Sequence, residues 1–153
     1  MSDLLTLLEP ISTFVPELDL TDGTAAEAKL NERFPPGSDT VRDIETAARE
    51  ALERGEICDR GDEGMKWGRV AKPEAVPGGS SIDAVHMTNS AGPPHTHPNG
   101  EVCLCLPLSE EAKFENRHET WVVMPAGSRH VPEVKDGEML ILYWLPEGAV
   151  TWG

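Results

Sequence analysis

Apolar and polar positions alternate with two different periods along this chain, and the change falls near Gly55. In the first third, Leu4, Leu5, Leu7 and Leu8 predict a short amphipathic helix stopped near Pro10. Thr24-Ala25-Ala26-Glu27 has the capping-box form that starts a second helix, running to about Phe34, where Pro35-Pro36-Gly37 breaks the chain. From Ser38 or Asp39 to about Arg54, Val41, Ile44, Ala48, Ala51 and Leu52 recur at helical spacing with Arg and Glu opposite, and Gly55 is placed to end that helix.

Beyond Gly55, short apolar runs are separated by Gly, Pro, Asn and Asp, the texture of many short strands. Strands are expected over 66–71, 81–87, 101–107, 120–124 and 139–145, with turns at Pro77-Gly78-Gly79, Pro93-Pro94, Pro98-Asn99-Gly100, Asp136-Gly137 and Pro146-Glu147-Gly148. The expected architecture is mainly β, a barrel or sandwich over 57–153, with a helical segment at 1–56 packed on it.

Composition narrows what such a domain binds. The 153 residues suit one domain able to bury a core without disulfides, and 13 Lys and Arg against 27 Asp and Glu leave a net charge of −14. Nucleic acid and anionic membrane surfaces are therefore excluded as expected partners, whereas a small anion remains compatible if a few basic residues line its pocket. The three cysteines, Cys58, Cys103 and Cys105, form no C-x-x-C pair and no disulfide framework, which fits a cytoplasmic location. The opening stretch carries Asp3 and Glu9 and no basic n-region, so neither signal peptide nor transmembrane helix is expected.

The chemistry concentrates in two short motifs. His95-Thr96-His97 puts two imidazoles on one side of an extended segment, since side chains two apart on a strand share a face. Glu101 follows across the Pro98-Asn99-Gly100 turn, and Pro125-Ala126-Gly127-Ser128-Arg129-His130 delivers a third imidazole after the next strand. Three neutral imidazoles and a carboxylate suit one divalent ion, Fe, Mn, Zn, Co or Ni, with a position open for water or substrate. His86 and His118 fall outside this set and read as ordinary hydrogen-bonded residues.

This pattern resembles the cupin superfamily, whose motifs H-x-H-x(3,4)-E and P-x-G-x-x-H are met by His95, His97 and Glu101 and by Pro125, Gly127 and His130. The resemblance implies a double-stranded β-helix (jelly-roll) barrel, a single metal site and pairing into a homodimer. Two positions depart from it: Asn89 stands where a glycine is often found, and Val134 where an asparagine is.

A narrower resemblance spans most of the chain. Leu30-Asn31-Glu32-Arg33-Phe34-Pro35, Gly68-Arg69-Val70-Ala71-Lys72-Pro73 and Gly92-Pro93-Pro94-His95-Thr96-His97-Pro98-Asn99-Gly100-Glu101 are similar to the bacterial 4-hydroxylaminobenzoate lyases. That likeness implies an enzyme of nitroaromatic breakdown, a carbon–nitrogen lyase converting 4-hydroxylaminobenzoate to 3,4-dihydroxybenzoate with release of ammonia. A small cupin dioxygenase and a non-catalytic ligand-binding cupin are the alternatives.

Under this reading Glu101 and His130 are the candidate catalytic residues, with His118 or Glu119 as outer acid or base. An aromatic carboxylate substrate needs a counter-charge. Arg69 and Lys72 are the candidates, while Arg129, next to His130 on an extended segment, is expected to point away. Trp67, Trp121, Tyr143 and Trp144 fall in expected strands, and Trp121 and Tyr143 are taken as lining the substrate pocket. Cys103 and Cys105 share the face of Glu101 and should be buried small apolar residues.

Overall fold

In the computed structural model, which describes residues 2–153, three helices precede a β-structure of ten strands. The first helix, α1 (Ser2–Phe14), does not stop at Pro10 but continues through it. Proline removes one helical N–H, yet Leu4, Leu8, Ile11 and Val15 make one fully buried stripe from this helix into the turn after it, and that burial outweighs the lost bond. The second helix, α2 (Gly23–Arg33), is capped by Asp22, whose carboxylate accepts from the Ala25 amide at 3.1 Å. The expected capping box at Thr24 does not form, because Glu27 is occupied elsewhere: it accepts from the Val123 amide at 2.9 Å and pairs with Arg117. Helix α3 (Asp39–Glu53) starts at Ser38 and is followed by Gly55 at φ +71, close to expectation.

The strands are β1 (Arg60–Asp62), β2 (Met65–Ala71), β3 (Ser80–Ala91), β4 (His95–His97), β5 (Glu101–Pro107), β6 (Lys113–Phe114), β7 (Trp121–Met124), β8 (Ser128–His130), β9 (Glu133–Pro146) and β10 (Thr151–Trp152). All five expected strands are present. β3 and β9 run longer than anticipated, because after Thr88 their pairing resumes past an irregularity at Asn89 and continues to Ala91↔Glu133. Asn89 sits there at φ +43 and its side-chain oxygen accepts from the Gly137 amide at 3.0 Å, so asparagine performs the left-handed turn that glycine often makes. Val134, the other departure, is buried.

Every pairing is antiparallel. One sheet has the order β1-β2-β3-β9-β5-β7, with β6 against β9, and a smaller one runs β10-β4-β8. Alternation divides the large sheet into two faces. Ile82, Ala84, Val102, Leu104, Leu142 and Trp144 pack with the buried residues of the helices, whereas Met87, Cys103, Cys105, Val122, Met139 and Ile141 form a separate apolar cluster on the opposite, barrel side. Three hydrogen bonds fasten helices to sheet: Trp144 Nε1 to Ser12 Oγ at 3.0 Å, Trp121 Nε1 to the Phe34 carbonyl at 2.8 Å, and Arg49 Nη2 to the Pro107 carbonyl at 2.9 Å. Glu27 on α2 also satisfies an amide of β7, a strand at the end of the sheet order, which blunts an edge otherwise open to pairing. Among the described residues no helix is long and apolar enough to cross a membrane.

Candidate metal centre and substrate cavity

The small sheet exists to aim histidines. In the β4–β8 pair His95 stands directly opposite His130, and His97 opposite Ser128, so the two motifs meet through backbone register. The turn after β4 is held by the His97 carbonyl, which accepts from the Gly100 amide at 3.2 Å and the Gly127 amide at 2.7 Å. Gly100 has φ +88, and a Cβ there would come within 3.0 Å of Leu20 and 3.2 Å of the Met124 carbonyl, so any side chain here would be strained and crowd this turn.

The three imidazoles converge through the same nitrogen. Nε2 of His130 lies 3.0 Å from Nε2 of His97 and 3.1 Å from Nε2 of His95. Metal–nitrogen bonds of about 2.1 Å place adjacent ligands roughly 3.0 Å apart at a right angle and roughly 3.4 Å apart in a tetrahedron. The histidine spacing therefore fits a first-row divalent ion. The other ring nitrogens agree: His95 Nδ1 meets the Pro93 carbonyl at 3.0 Å, and His130 Nδ1 meets Glu115 Oε1 at 3.1 Å. Each contact holds a proton on Nδ1 and leaves the Nε2 lone pair facing the centre. His97 Nδ1 is buried without a partner.

Burial, then the neighbouring imidazoles, pulls the His97 pKa down to about 3, and burial likewise lowers His95. These two rings are thus held neutral, the form that binds metal. Glu101 is nearly inaccessible and stands beside the trio, with Oε2 3.4 Å from His97 Nε2 and Oε1 accepting from the Cys103 thiol at 3.0 Å. Burial pushes its carboxyl up to about 7, the Cys103 hydrogen bond acting against the rise.

The centre lies in the wall of a cavity of about 820 Å³, within the roughly 300–1,000 Å³ range of small-molecule sites. Arg69, Lys72 and Tyr143 line this cavity as well. Trp121 does not: its indole is fully buried on the helix side of the sheet, against Phe34 and Trp144, so its expected substrate role is corrected to a core one. Trp144 is core in the same way, whereas Trp67 lines the cavity.

His118 is bonded to the Ala112 carbonyl at 2.7 Å and His86 is paired with Glu138; neither lines the cavity. Arg129 points away from it, its Nε donating to the Gly153 carbonyl at 3.1 Å. Cys103 and Cys105 are buried as expected. Two cavity residues with a clear role escaped the sequence reading: Trp152 stacks edge-on against His95 with centroids 5.2 Å apart, and Asp83 lies on the inner face of β3. Glu115, outside the cavity lining, was missed as well and orients His130. Only Asp83 left a trace, as a charged residue in the middle of an apolar strand.

A mainly β barrel with two antiparallel sheets, N-terminal helices and three histidines gathered by its two motifs is a cupin. Comparison with known proteins narrows the class. The family model of 4-hydroxylaminobenzoate lyase (PnbB) matches residues 9–152, and the chain belongs to that family of lyases. A 4-hydroxylaminobenzoate lyase of Pseudomonas putida is 28% identical over 151 residues, covering 88% of this chain and 86% of its own. One from Nocardioides sp. (strain LMS-CY) is also 28% identical, over 162 residues, covering 99% and 96% respectively. Among solved structures, a protein of unknown function with a cupin-like fold from Ralstonia eutropha is 15% identical over 59% of this chain and 63% of that chain, with a TM-score of 0.44.

Proposed function

We propose that this protein converts 4-hydroxylaminobenzoate to 3,4-dihydroxybenzoate and ammonia, with His95, His97 and His130 holding one divalent metal ion and Glu101 beside it. The observation that carries the reading is the convergence of three Nε2 atoms in the wall of a cavity that also contains Arg69 and Lys72, in a chain of this family. The reaction is redox neutral. The N–O bond breaks as the hydroxyl leaves as water, a water oxygen bonds to the adjacent ring carbon, and a second water displaces nitrogen as ammonia, for a net uptake of one water. A bound divalent ion supplies Lewis acidity toward oxygen and lowers the pKa of water.

The protein's own groups do the rest. Arg69 and Lys72 supply positive charge for the benzoate carboxylate, Arg through a fork suited to bidentate contact. Glu101, buried with Oε2 3.4 Å from His97 Nε2, is the carboxyl placed to give up and recover a proton at the centre. Trp67, Trp152 and Tyr143 provide ring faces to an aromatic substrate.

The test is incubation of metal-analysed protein with 4-hydroxylaminobenzoate under argon. Ammonia and 3,4-dihydroxybenzoate should appear in equal amounts without oxygen. Absence of ammonia from metal-loaded protein refutes the assignment, and turnover that requires oxygen replaces it with a dioxygenase.

A further inference from the structure

We infer that Asp83 is a positioning residue that fixes the Arg69 guanidinium at the cavity so that its two terminal nitrogens take the carboxylate of an aromatic ligand; this rests on the lyase reading for the ligand's identity. Asp83 and Arg69 are directly opposed in the β2–β3 register, and Arg69 Nε donates to Asp83 Oδ1 at 2.9 Å. The second carboxylate oxygen accepts from Ser81 Oγ at 2.7 Å, so Asp83 is held from both sides. Exposure separates the roles: the Asp83 side chain is 9% exposed and that of Arg69 41%. The acid is the fixed anchor and the base the arm that reaches out.

That arm is only partly used. Among the described residues Arg69 Nη1 and Nη2 have no hydrogen-bond acceptor; they lie over Gly148, where a Cβ would come within 3.2 and 3.4 Å of them. Gly148, at φ +69, leaves the guanidinium its room. An arginine tethered through Nε offers its other edge, with two parallel N–H bonds, to a carboxylate.

The register also sets the distance to the metal centre. Arg69, Asp83, Tyr143 and Cys103 are successive partners across β2, β3, β9 and β5, all line the cavity, and Cys103 bonds Glu101. Three strand spacings put the Arg69 and Cys103 backbones about 14 Å apart, which an arginine side chain and one para-substituted ring together span. Tyr143, paired with Asp83 on one side and Cys103 on the other, lines the cavity between them. A ligand held by its carboxylate at Arg69 thus brings its far substituent to the histidines.

The experiment compares 3,4-dihydroxybenzoate with catechol, which differ only in the carboxylate, by quenching of tryptophan fluorescence in the metal-loaded full-length protein. The wild type should prefer the carboxylate ligand. Asp83→Asn should reduce that preference roughly tenfold while catechol affinity stays within about twofold, and should raise KM for 4-hydroxylaminobenzoate roughly tenfold with little change in kcat. Arg69→Ala should cut the preference further, to what Lys72 alone supplies, and adding Asp83→Asn to it should change nothing further.

If Asp83→Asn fails to fold, Ser81→Ala, which frees one oxygen of the anchor, should show a smaller loss in the same direction. An unchanged preference in these variants, or equal weakening toward both ligands, overturns the inference. Preference for the carboxylate without ammonia release sinks the lyase reading and leaves this one standing. Ammonia release with full preference in Asp83→Asn does the reverse.

Discussion

Trp121→Phe separates a substrate-contacting aromatic residue from a structural one. The indole is fully buried, its Nε1 donates to the Phe34 carbonyl at 2.8 Å, and its ring packs on Phe34 and Trp144 with centroids 6.3 and 5.9 Å away. Phenylalanine keeps the aromatic contact but leaves that carbonyl without its donor, costing about 1–3 kcal/mol. The missing part of the indole leaves a void of roughly 40 Å³, and about 24 cal/mol per Å³ adds close to 1 kcal/mol. A loss of about 2–4 kcal/mol in a chain of 153 residues lowers Tm by roughly 5–15 °C. Urea unfolding followed by far-UV circular dichroism should show a lower midpoint at unchanged slope, while KM and kcat at 25 °C stay within about twofold of the wild type. Unaltered stability with a tenfold rise in KM would return Trp121 to the substrate cavity and refute the assignment of faces on which the site description depends.

Two further outcomes follow from the metal centre. Glu115→Ala removes the carboxylate from His130 Nδ1 and should weaken divalent-metal affinity about 10–100-fold in a metal titration, with the melting curve of the metal-free protein little changed; undiminished affinity would mean that the ring is held by β4–β8 pairing alone. In chelator-treated protein Glu101 has its folded pKa raised to about 7 from 4.5, so its contribution is fully present below pH 4.5 and lost as pH rises through 7. Relative to wild type, metal-free Glu101→Gln should therefore gain stability between pH 5 and 8 in denaturant titrations, whereas parallel curves would show that the folded carboxyl titrates normally.

Strand β5 and the histidine motifs were legible in the sequence because local pattern suffices for them: a run buried along its whole length reads as a strand, and a pair two apart must share a face whatever the fold. Trp121 and Tyr143 were indistinguishable by that means. On β5, Glu101, Cys103 and Cys105 define the inner face, and pairing places Val122 and Tyr143 opposite Cys103 but Trp121 opposite Leu104. The aromatic residue facing the cavity is therefore chosen by cross-strand register, which no single strand contains. Pro10 and Glu27 misled for a related reason: a buried stripe in one case, and a neighbouring strand's amide in the other, overrode the local rule.

Placing the histidines in the barrel carries a cost that the rest of the fold has to offset. Among the described residues, the two buried side-chain atoms without a hydrogen bond are His97 Nδ1 and Ser128 Oγ, and these residues are direct partners in the β4–β8 pair. Unsatisfied polarity is thus concentrated at the metal centre, next to a carboxyl that burial keeps from ionising readily. The opposite face of the large sheet is apolar and sealed by Leu4, Leu8, Ile11, Leu30 and Ile44 from the helices. Stability gathered on that face lets the cavity face retain polar groups that favour ligation over packing, because only the balance over the whole domain has to favour folding. The helices, none of which lines the cavity, are on this account what permits His130 Nε2 to be held 3.0 and 3.1 Å from the Nε2 atoms of His97 and His95 inside it.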